Sequence, residues 1–500
     1  MFGNKTCCYS IAIAGIALTV LSTVGLIYFP AIISNKIKES LPLTEGSASL
    51  ERFSVVKVPI TMSFTFFEVT NWLEVTEGTA KPRLIERGPY VFNEKKRKEI
   101  VNVSENHLTY RQYKTFQFNA NLSVGSLEDE ITIVNVPAIV MSGLIHKKVA
   151  KSPLKGTVLK AVENLMKSDN QKLYTKRSVR EILFEGYQIG FIAELKKKLA
   201  SFGITQLNLP DTFGLFLGKN GTHDGEFFVD NGASDVSQFT QIQKWQGKEK
   251  VNFWGKDTHC NHINGTDGAQ FHPDLQRTDK LWVFSPELCR SIFLEYIKDS
   301  EVKGITTYQF SFPERLLTAP SKSIENECFC VKKNDPICNF DGLMDASPCK
   351  KGAPIALSSP HFYNGDRRLQ KGVIGLNPRK ELHSTYLNIE PNTGFVFDAA
   401  QRLQINLVIR NMPDVMLLRN VDDLILPVLW LQESASIDDD SASKFKSKVT
   451  HTLVIANSVF VTLIFIGIVL IFVSLARILL EHLPASQGYS SPVATKIGST

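Results

Sequence analysis

Two stretches decide the class of this chain: IAIAGIALTVLSTVGLIYFPAII, residues 11–33, and LVIANSVFVTLIFIGIVLIFVSL, residues 453–475. Neither holds a charged residue. At 1.5 Å per residue a helix of about 23 residues covers roughly 34 Å, enough to cross a hydrocarbon core of about 30 Å. The first run exceeds the usual apolar stretch of a signal peptide and leads into Pro30-Ala31-Ile32-Ile33 instead of a small-x-small cleavage site. It reads as an uncleaved signal anchor, with a removed signal peptide as the alternative. The expected order is a tail (1–10), a transmembrane helix (11–33), a large loop (34–452), a second transmembrane helix (453–475) and a tail (476–500).

Between the spans the chain is of ordinary composition. Over 500 residues it is 43% hydrophobic and 21% charged, and a net charge of +6 is too small to mark a nucleic-acid binder. With 32 Phe and an even supply of aliphatics, disorder is excluded.

Flanking charge does not orient the spans. Lys5 precedes the first and Lys36 and Lys38 follow it; Lys444, Lys446 and Lys448 precede the second, with Arg477 after. Long loops translocate largely regardless of such charges. Four Asn-x-Ser/Thr acceptors in the loop, Asn102, Asn121, Asn220 and Asn264, argue instead for a glycosylated ectodomain with both tails cytosolic. Six cysteines of that loop cluster as Cys260, Cys289, Cys328, Cys330, Cys338 and Cys349, which reads as three disulfides in an oxidising compartment. Metal binding is the minor alternative. His259-Cys260-Asn261-His262 and Cys328-x-Cys330 resemble ligand sets, but no second zinc knuckle repeats the spacing. Cys7 and Cys8, at the mouth of the first span, are candidates for palmitoylation or plain thiols, and Gly3 is one place too late for myristoylation.

Strand signals dominate the loop. Tyr110, Phe116, Phe118 and Ala120 give a period near two between Leu108 and Leu122; Ser54–Thr70 is rich in Val, Ile, Phe and Thr, with Pro59 suggesting an edge or bulge. Asn220-Gly221 and Asn231-Gly232 bracket Glu226–Val229, and Leu403–Ile409 and Leu424–Leu431 read as further strands. Helical spacing appears in Ile139–Met166 and Val179–Leu199, with Lys167, Lys172, Lys176, Arg177, Arg180 and Lys196-Lys197-Lys198 on its polar face. These charges read either as a solvated face or as a basic platform for anionic partners. No nucleophile elbow, His-Glu-x-x-His helix, phosphate loop or dinucleotide fingerprint occurs, so neither an enzyme nor a cofactor is expected.

Phe67-Glu68-Val69-Thr70-Asn71 and Glu86-Arg87-Gly88-Pro89-Tyr90-Val91-Phe92 resemble the opening of class B scavenger receptor ectodomains, the family of fatty acid translocase, lysosomal integral membrane proteins and sensory neuron membrane proteins. Matching stretches follow in order: Phe213–Phe216, Cys260–Gly268, Cys289–Ile292, Cys328-Phe329-Cys330, Ser359–Tyr363, Ile389–Gly394 and Pro427–Trp430. The resemblance implies an α+β, mainly β fold: a large antiparallel β-barrel ectodomain with a helical-bundle cap, about residues 139–202, and an internal hydrophobic tunnel. It implies the pairing Cys260–Cys328, Cys289–Cys349 and Cys330–Cys338. It also implies a cell-surface scavenger receptor that binds lipids, fatty acids, sterol esters, carotenoids or lipoproteins and passes hydrophobic ligand toward the membrane. Lys167 and Lys172, with Lys196, Lys197 and Lys198, would then capture anionic head groups at the cap. The alternative is a trafficking or adhesion receptor whose cap docks a protein ligand, and a homo-oligomer is a further partner. Lysosomal relatives end in an acidic dileucine signal. Here Leu479-Leu480 follows Arg477-Ile478 against the membrane and Tyr489 is followed by Pro492, so the plasma membrane is expected over a lysosomal or endosomal one.

Overall fold

The computed structural model describes residues 2–56, 58–204, 210–333 and 335–482. Two compact units emerge, one made of residues 1–36 and 443–500, the other of residues 37–442. The longest helices are α1 (Phe2–Ser40), α2 (Val136–Val149), α3 (Lys155–Ser168), α4 (Ile192–Ser201) and α5 (His451–His482).

The terminal unit consists of α1 and α5, both long and apolar enough to cross a membrane. Each helix outruns its apolar stretch, because the polar residues that flank the runs continue the same helix; the expected tail of residues 1–10 is helical from Phe2. The helices meet closely where neither has a side chain. A Cβ on Gly15 would lie 2.8 Å from the Gly467 carbonyl oxygen, and one on Gly467 2.8 Å from that of Gly15. Phe460 fills the space beside Gly25 and packs edge-on against Phe29, so the contact is a small-residue crossing backed by one aromatic pair. The tail beyond residue 482, including Tyr489, lies outside the described residues.

The larger unit is built on a nearly closed antiparallel barrel of eleven strands. In chain order these are β1 (Ile60–Val69), β2 (Leu84–Val103), β3 (His107–Phe118), β4 (Thr222–Asp230), β5 (Ile242–Trp245), β6 (Lys280–Ser285), β7 (Arg290–Val302), β8 (Ile305–Ser311), β9 (Tyr386–Ile389), β10 (Val396–Ile409) and β11 (Leu424–Ser436). The spatial order is β6-β7-β8-β9-β10-β11-β1-β2-β3-β4-β5. Gly265 and Thr266 tie the two ends together. Ile242 N–H donates to Gly265 O at 2.8 Å, and Thr266 exchanges bonds with Trp282 and Phe284. Only glycine fits at 265: φ is 90°, and a Cβ would lie 2.0 Å from Trp282 O.

Several strand boundaries differ from the sequence reading. Ser54 ends a short helix, Ala48–Ser54, and Pro59 stands just before β1, since a residue without N–H cannot enter a ladder between β11 and β2. The irregularity of β1 falls instead between Phe64 and Phe66.

The cap is inserted between β3 and β4. Helices α2, α3 and α4 pack over a two-stranded pair, Glu130–Val134 with Tyr174–Ser178. Their apolar faces (Ile139, Ile145, Val158, Val162, Ile192, Leu195) share one core with Phe67, Val69, Leu426 and Val428 of the barrel. Val179–Leu199, expected as a helical run, is broken. Glu181–Glu185 forms a π turn, Tyr187-Gln188 a short strand, and only Ile192 resumes an α-helix. Gly186 causes the break: its φ is 77°, and a Cβ there would meet Thr212 Cγ2 at 2.9 Å and Phe213 O at 3.0 Å. The π turn in turn sets Phe184 among Phe64, Phe92 and Phe116 of the barrel.

Candidate functional site

Three places carry chemistry: the cap surface, the barrel interior and the cysteine-rich side of the barrel.

On the cap, an open groove of about 780 Å³ runs between α3 and α4. Helical spacing puts Thr157, Lys160, Ala161, Asn164 and Leu165 of α3 along one wall, with Lys198 and Phe202 opposite. Lys198, a sequence candidate, thus faces Lys160, which sequence reading passed over because it lies alone on a polar helix face. The other candidates do not line the groove. Lys167 bonds Glu163 at 2.7 Å one turn back, Lys196 bonds Asp211 at 2.7 Å, and Lys172 and Lys197 are exposed. Of the remaining basic residues, Lys176 pairs with Glu130, Arg180 with Glu128 and Glu185, and Arg177 stacks over Tyr187.

The barrel interior has two levels. The lower is aromatic: Phe64 lies 5.7 Å from Phe92, 4.9 Å from Phe216 and 6.0 Å from Phe184, mostly edge to face. Along the inward face of β2 the aromatics then give way to Glu94, Lys96 and Lys98, while Asn93, Lys95, Arg97 and Glu99 point outward. Each of these inward lysines has a carboxylate. Lys96 Nζ donates to Glu433 at 2.6 Å, Lys98 lies 2.6 Å from Asp267, and Lys114 of β3 meets Glu287 and, at 3.4 Å, Asp224. Burial would lower the Lys96 ammonium, but Glu433 and Glu94 outweigh it and hold it above its usual range. Burial raises the Glu94 carboxyl to about 7 despite Lys96. Sequence reading missed this belt because charged residues occupy both faces of β2, so Glu94–Glu99 reads as one solvated run.

Beside these places, a polar cluster joins Glu86 of β2 and Trp430 of β11 to two histidines of the loops that pack on them. His361 Nε2 is 3.0 Å from Glu86, Trp430 Nε1 donates to the same carboxylate at 2.7 Å, and His383 stacks on His361 at 4.3 Å. The Nδ1 atoms of both histidines accept backbone N–H bonds, from Asn377 and Arg379, which fixes the orientation of each ring. Burial, then His361, lowers His383 to about 4, and the His361 bond lowers Glu86. No nucleophile is among these partners. The cluster joins Glu86-Arg87, Ser359–Tyr363 and Pro427–Trp430, three stretches of the family resemblance, so it explains them structurally.

On the cysteine-rich side the bonded pairs are Cys260–Cys328, Cys289–Cys349 and Cys330–Cys338. His259 lies 3.4 Å from Cys328 Sγ, and His259, Cys260 and Cys328 would form a ligand trio as free groups. With both sulfurs in one disulfide, only the imidazole remains to bind a metal. Asn102, Asn121, Asn220 and Asn264 are all exposed; the Asn220 amide exchanges two bonds with the Phe116 backbone. Cys7 is a free, exposed thiol and Cys8 a free, buried one.

With this geometry in view, the sequence model of the CD36 family matches residues 13–478. The chain belongs to the CD36 family. Among curated relatives it is 31% identical to lysosome membrane protein 2 of Rattus norvegicus over 473 residues, 93% of this chain and 94% of the relative. It is 32% identical to scavenger receptor class B member 1 of Mus musculus over 436 residues, covering 87% and 82% of the two chains. Family membership makes this chain a class B scavenger receptor, a membrane-embedded receptor with two terminal helices long and apolar enough to span, and not an enzyme.

Proposed function

We propose that this receptor acts at the cell surface, binding lipids or lipoproteins and transferring hydrophobic ligand through the barrel toward the membrane. The observation that carries the reading is the aromatic interior: Phe116, Phe118, Phe184 and Phe216 are only partly buried although they face Phe64 and Phe92 inside the barrel. An alkyl chain leaving water for such a lining gains roughly 0.8 kcal/mol per CH₂. The exposed lysines of the cap supply attraction for anionic head groups before entry. Leu479 and Leu480 belong to α5, continuous with the membrane helix, which is unlike a free sorting signal and supports the plasma membrane over the lysosome.

The test is mass spectrometry of lipid retained by the purified full-length chain, followed by transfer of labelled sterol ester from lipoprotein to cells. Phe64→Arg should abolish transfer while lipoprotein still binds at the surface. Unchanged transfer would refute an interior route.

The groove between α3 and α4 favours a second reading, a trafficking or adhesion receptor for a protein ligand. Its open face and paired walls suit an inserted peptide segment. Substituting Lys160 and Lys198 with Glu would then abolish partner capture and leave lipid content unchanged.

A further inference from the structure

Inside the barrel, the boundary between the aromatic level and the charged belt is set by one cross-strand group. Lys96 Nζ donates to Glu433 Oε1 at 2.6 Å and lies 3.7 Å from Glu94. Glu94 is fully buried, and neither of its carboxylate oxygens has a hydrogen-bond partner. Opposite Glu94 in the β2–β3 ladder stands Phe116, and two residues before it on the same face stands Phe92. A polar group therefore sits directly over the aromatic floor.

The same boundary is not sealed. Lys96 and Lys114 lie deep in the protein, yet 15% and 17% of their side chains stay accessible, as does 21% of Glu433. Gln401, the ladder partner of Glu433, is exposed on that inward face.

We propose that Lys96 and Glu433 form a head-group site for a neutral, hydroxyl-bearing lipid, whose tail lies along Phe64, Phe92 and Phe116. The proposal rests on the lipid-transfer reading above and specifies what the interior selects. An ammonium has three donors, and Glu433 engages one of them. A hydroxyl can accept a second while donating to a carboxylate oxygen, so both members of the pair are satisfied. An ester oxygen can only accept. A carboxylate would bring another negative charge beside Glu433 and Glu94, where Lys96 is already matched, and Lys114 farther along is matched by Glu287 and Asp224. The belt thus passes alcohols and disfavours anions, the opposite preference to that of an exposed basic cap.

The test uses the full-length chain in phosphatidylcholine nanodiscs at pH 7.5, with labelled hexadecanol competed by hexadecanol, palmitate and methyl palmitate. Wild type should bind hexadecanol about tenfold more tightly than either of the others. The double variant Lys96→Met/Glu433→Leu replaces the pair with apolar groups of similar volume and should bring hexadecanol and methyl palmitate within about twofold of each other. The double variant Glu94→Gln/Glu433→Gln leaves Lys96 without a carboxylate and should raise palmitate affinity about tenfold. A gain of binding does not arise from misfolding, so this second variant decides the matter should the first fail to fold. Retained alcohol preference in a folded first variant, or no palmitate gain in the second, overturns the proposal while leaving lipid transfer intact. Wild type that binds none of the three lipids overturns both.

Discussion

Lysines occur in two settings in the ectodomain, and their surroundings give them different work. Around the cap they ride on helix surfaces: Lys167 is 59% exposed and its partner Glu163 is a neighbour on the same helix. Inside the barrel, Lys96, Lys98 and Lys114 come from alternate positions of adjacent strands and meet carboxylates from distant parts of the chain, Glu433, Asp267 and Glu287. An exposed ion pair contributes about 0–1 kcal/mol and yields easily to an incoming anion, whereas breaking an enclosed pair costs about 3–5 kcal/mol. The same residue type is therefore loosely held in one place and firmly paired in the other.

The largest effect should come from emptying the barrel floor. Phe64 is fully buried and touches Phe92, Phe184 and Phe216. Phe64→Ala should lower unfolding stability by about 3–5 kcal/mol in chemical denaturation. A loss below about 1 kcal/mol would mean that the floor is not a packed platform, and the contrast with the cap would weaken.

The sequence made part of this contrast visible. Period-two alternation in β3 exposed the barrel wall because Tyr110 and Phe116 alternate with polar residues. The helical stripes of α2 and α3 exposed the cap. What stayed hidden depends on contacts between distant residues. Glu94, Lys96 and Lys98 carry the period of a strand, but outward neighbours of the same charge class erase it. The π turn at Glu181–Glu185 depends on Gly186 being crowded by Thr212 and Phe213, 26 or more residues away along the chain. The pairing Cys260–Cys328 spans 68 residues and came from family resemblance, not from spacing.

A second break point separates barrel from cap by covalent chemistry. The three bonded cysteine pairs lie in residues 260–349, beyond the cap. Replacing Cys330 and Cys338 with Ser opens a short loop of separation 8 and should destabilise the ectodomain by about 2–3 kcal/mol. Hydrogen exchange should quicken first around Glu327–Asn339 and leave α3 and α4 as in wild type. Matching acceleration in the cap would show that the two regions open as one unit.

Proton uptake sharpens the comparison further. Glu94 faces Lys96 on its own strand, Glu433 on β11, Lys114 on β3 and Glu287 after β6, and burial raises it to about 7. Between about pH 4.5 and 7 the native state then holds a proton that the unfolded chain has released, so this group makes stability fall as pH rises through that window. His383, lowered to about 4 chiefly by burial, acts in the opposite sense: the unfolded chain binds the extra proton between about 4 and 6.5, and stability rises with pH. The informative quantity is the difference between wild type and Glu94→Gln. It should be near zero at pH 4.5 and reach about 1–3 kcal/mol in favour of the variant by pH 8. A flat difference would mean that Glu94 titrates as an ordinary surface carboxyl.

The smallest effect on stability is expected at the cap, and its smallness is what the comparison requires. Replacing Lys167, Lys172, Lys196, Lys197 and Lys198 with Gln removes exposed charges and two surface pairs, with Glu163 and Asp211. Each change should shift stability by no more than about 0.5 kcal/mol, and glycan occupancy at Asn102, Asn121, Asn220 and Asn264 should be unchanged. Association with anionic vesicles should nevertheless slow, and the deficit should be greatest at low salt, since exposed charges are screened over about 8 Å at physiological ionic strength. Uptake of neutral sterol ester should suffer less, because its passage depends on apolar burial. If the fivefold variant binds phosphatidylserine vesicles as fast as wild type at low salt, the cap lysines merely solvate their helices. Attraction would then have to come from Lys160, the remaining lysine of the groove, and Lys160→Gln added to the variant would show it by slowing association where the first five changes did not.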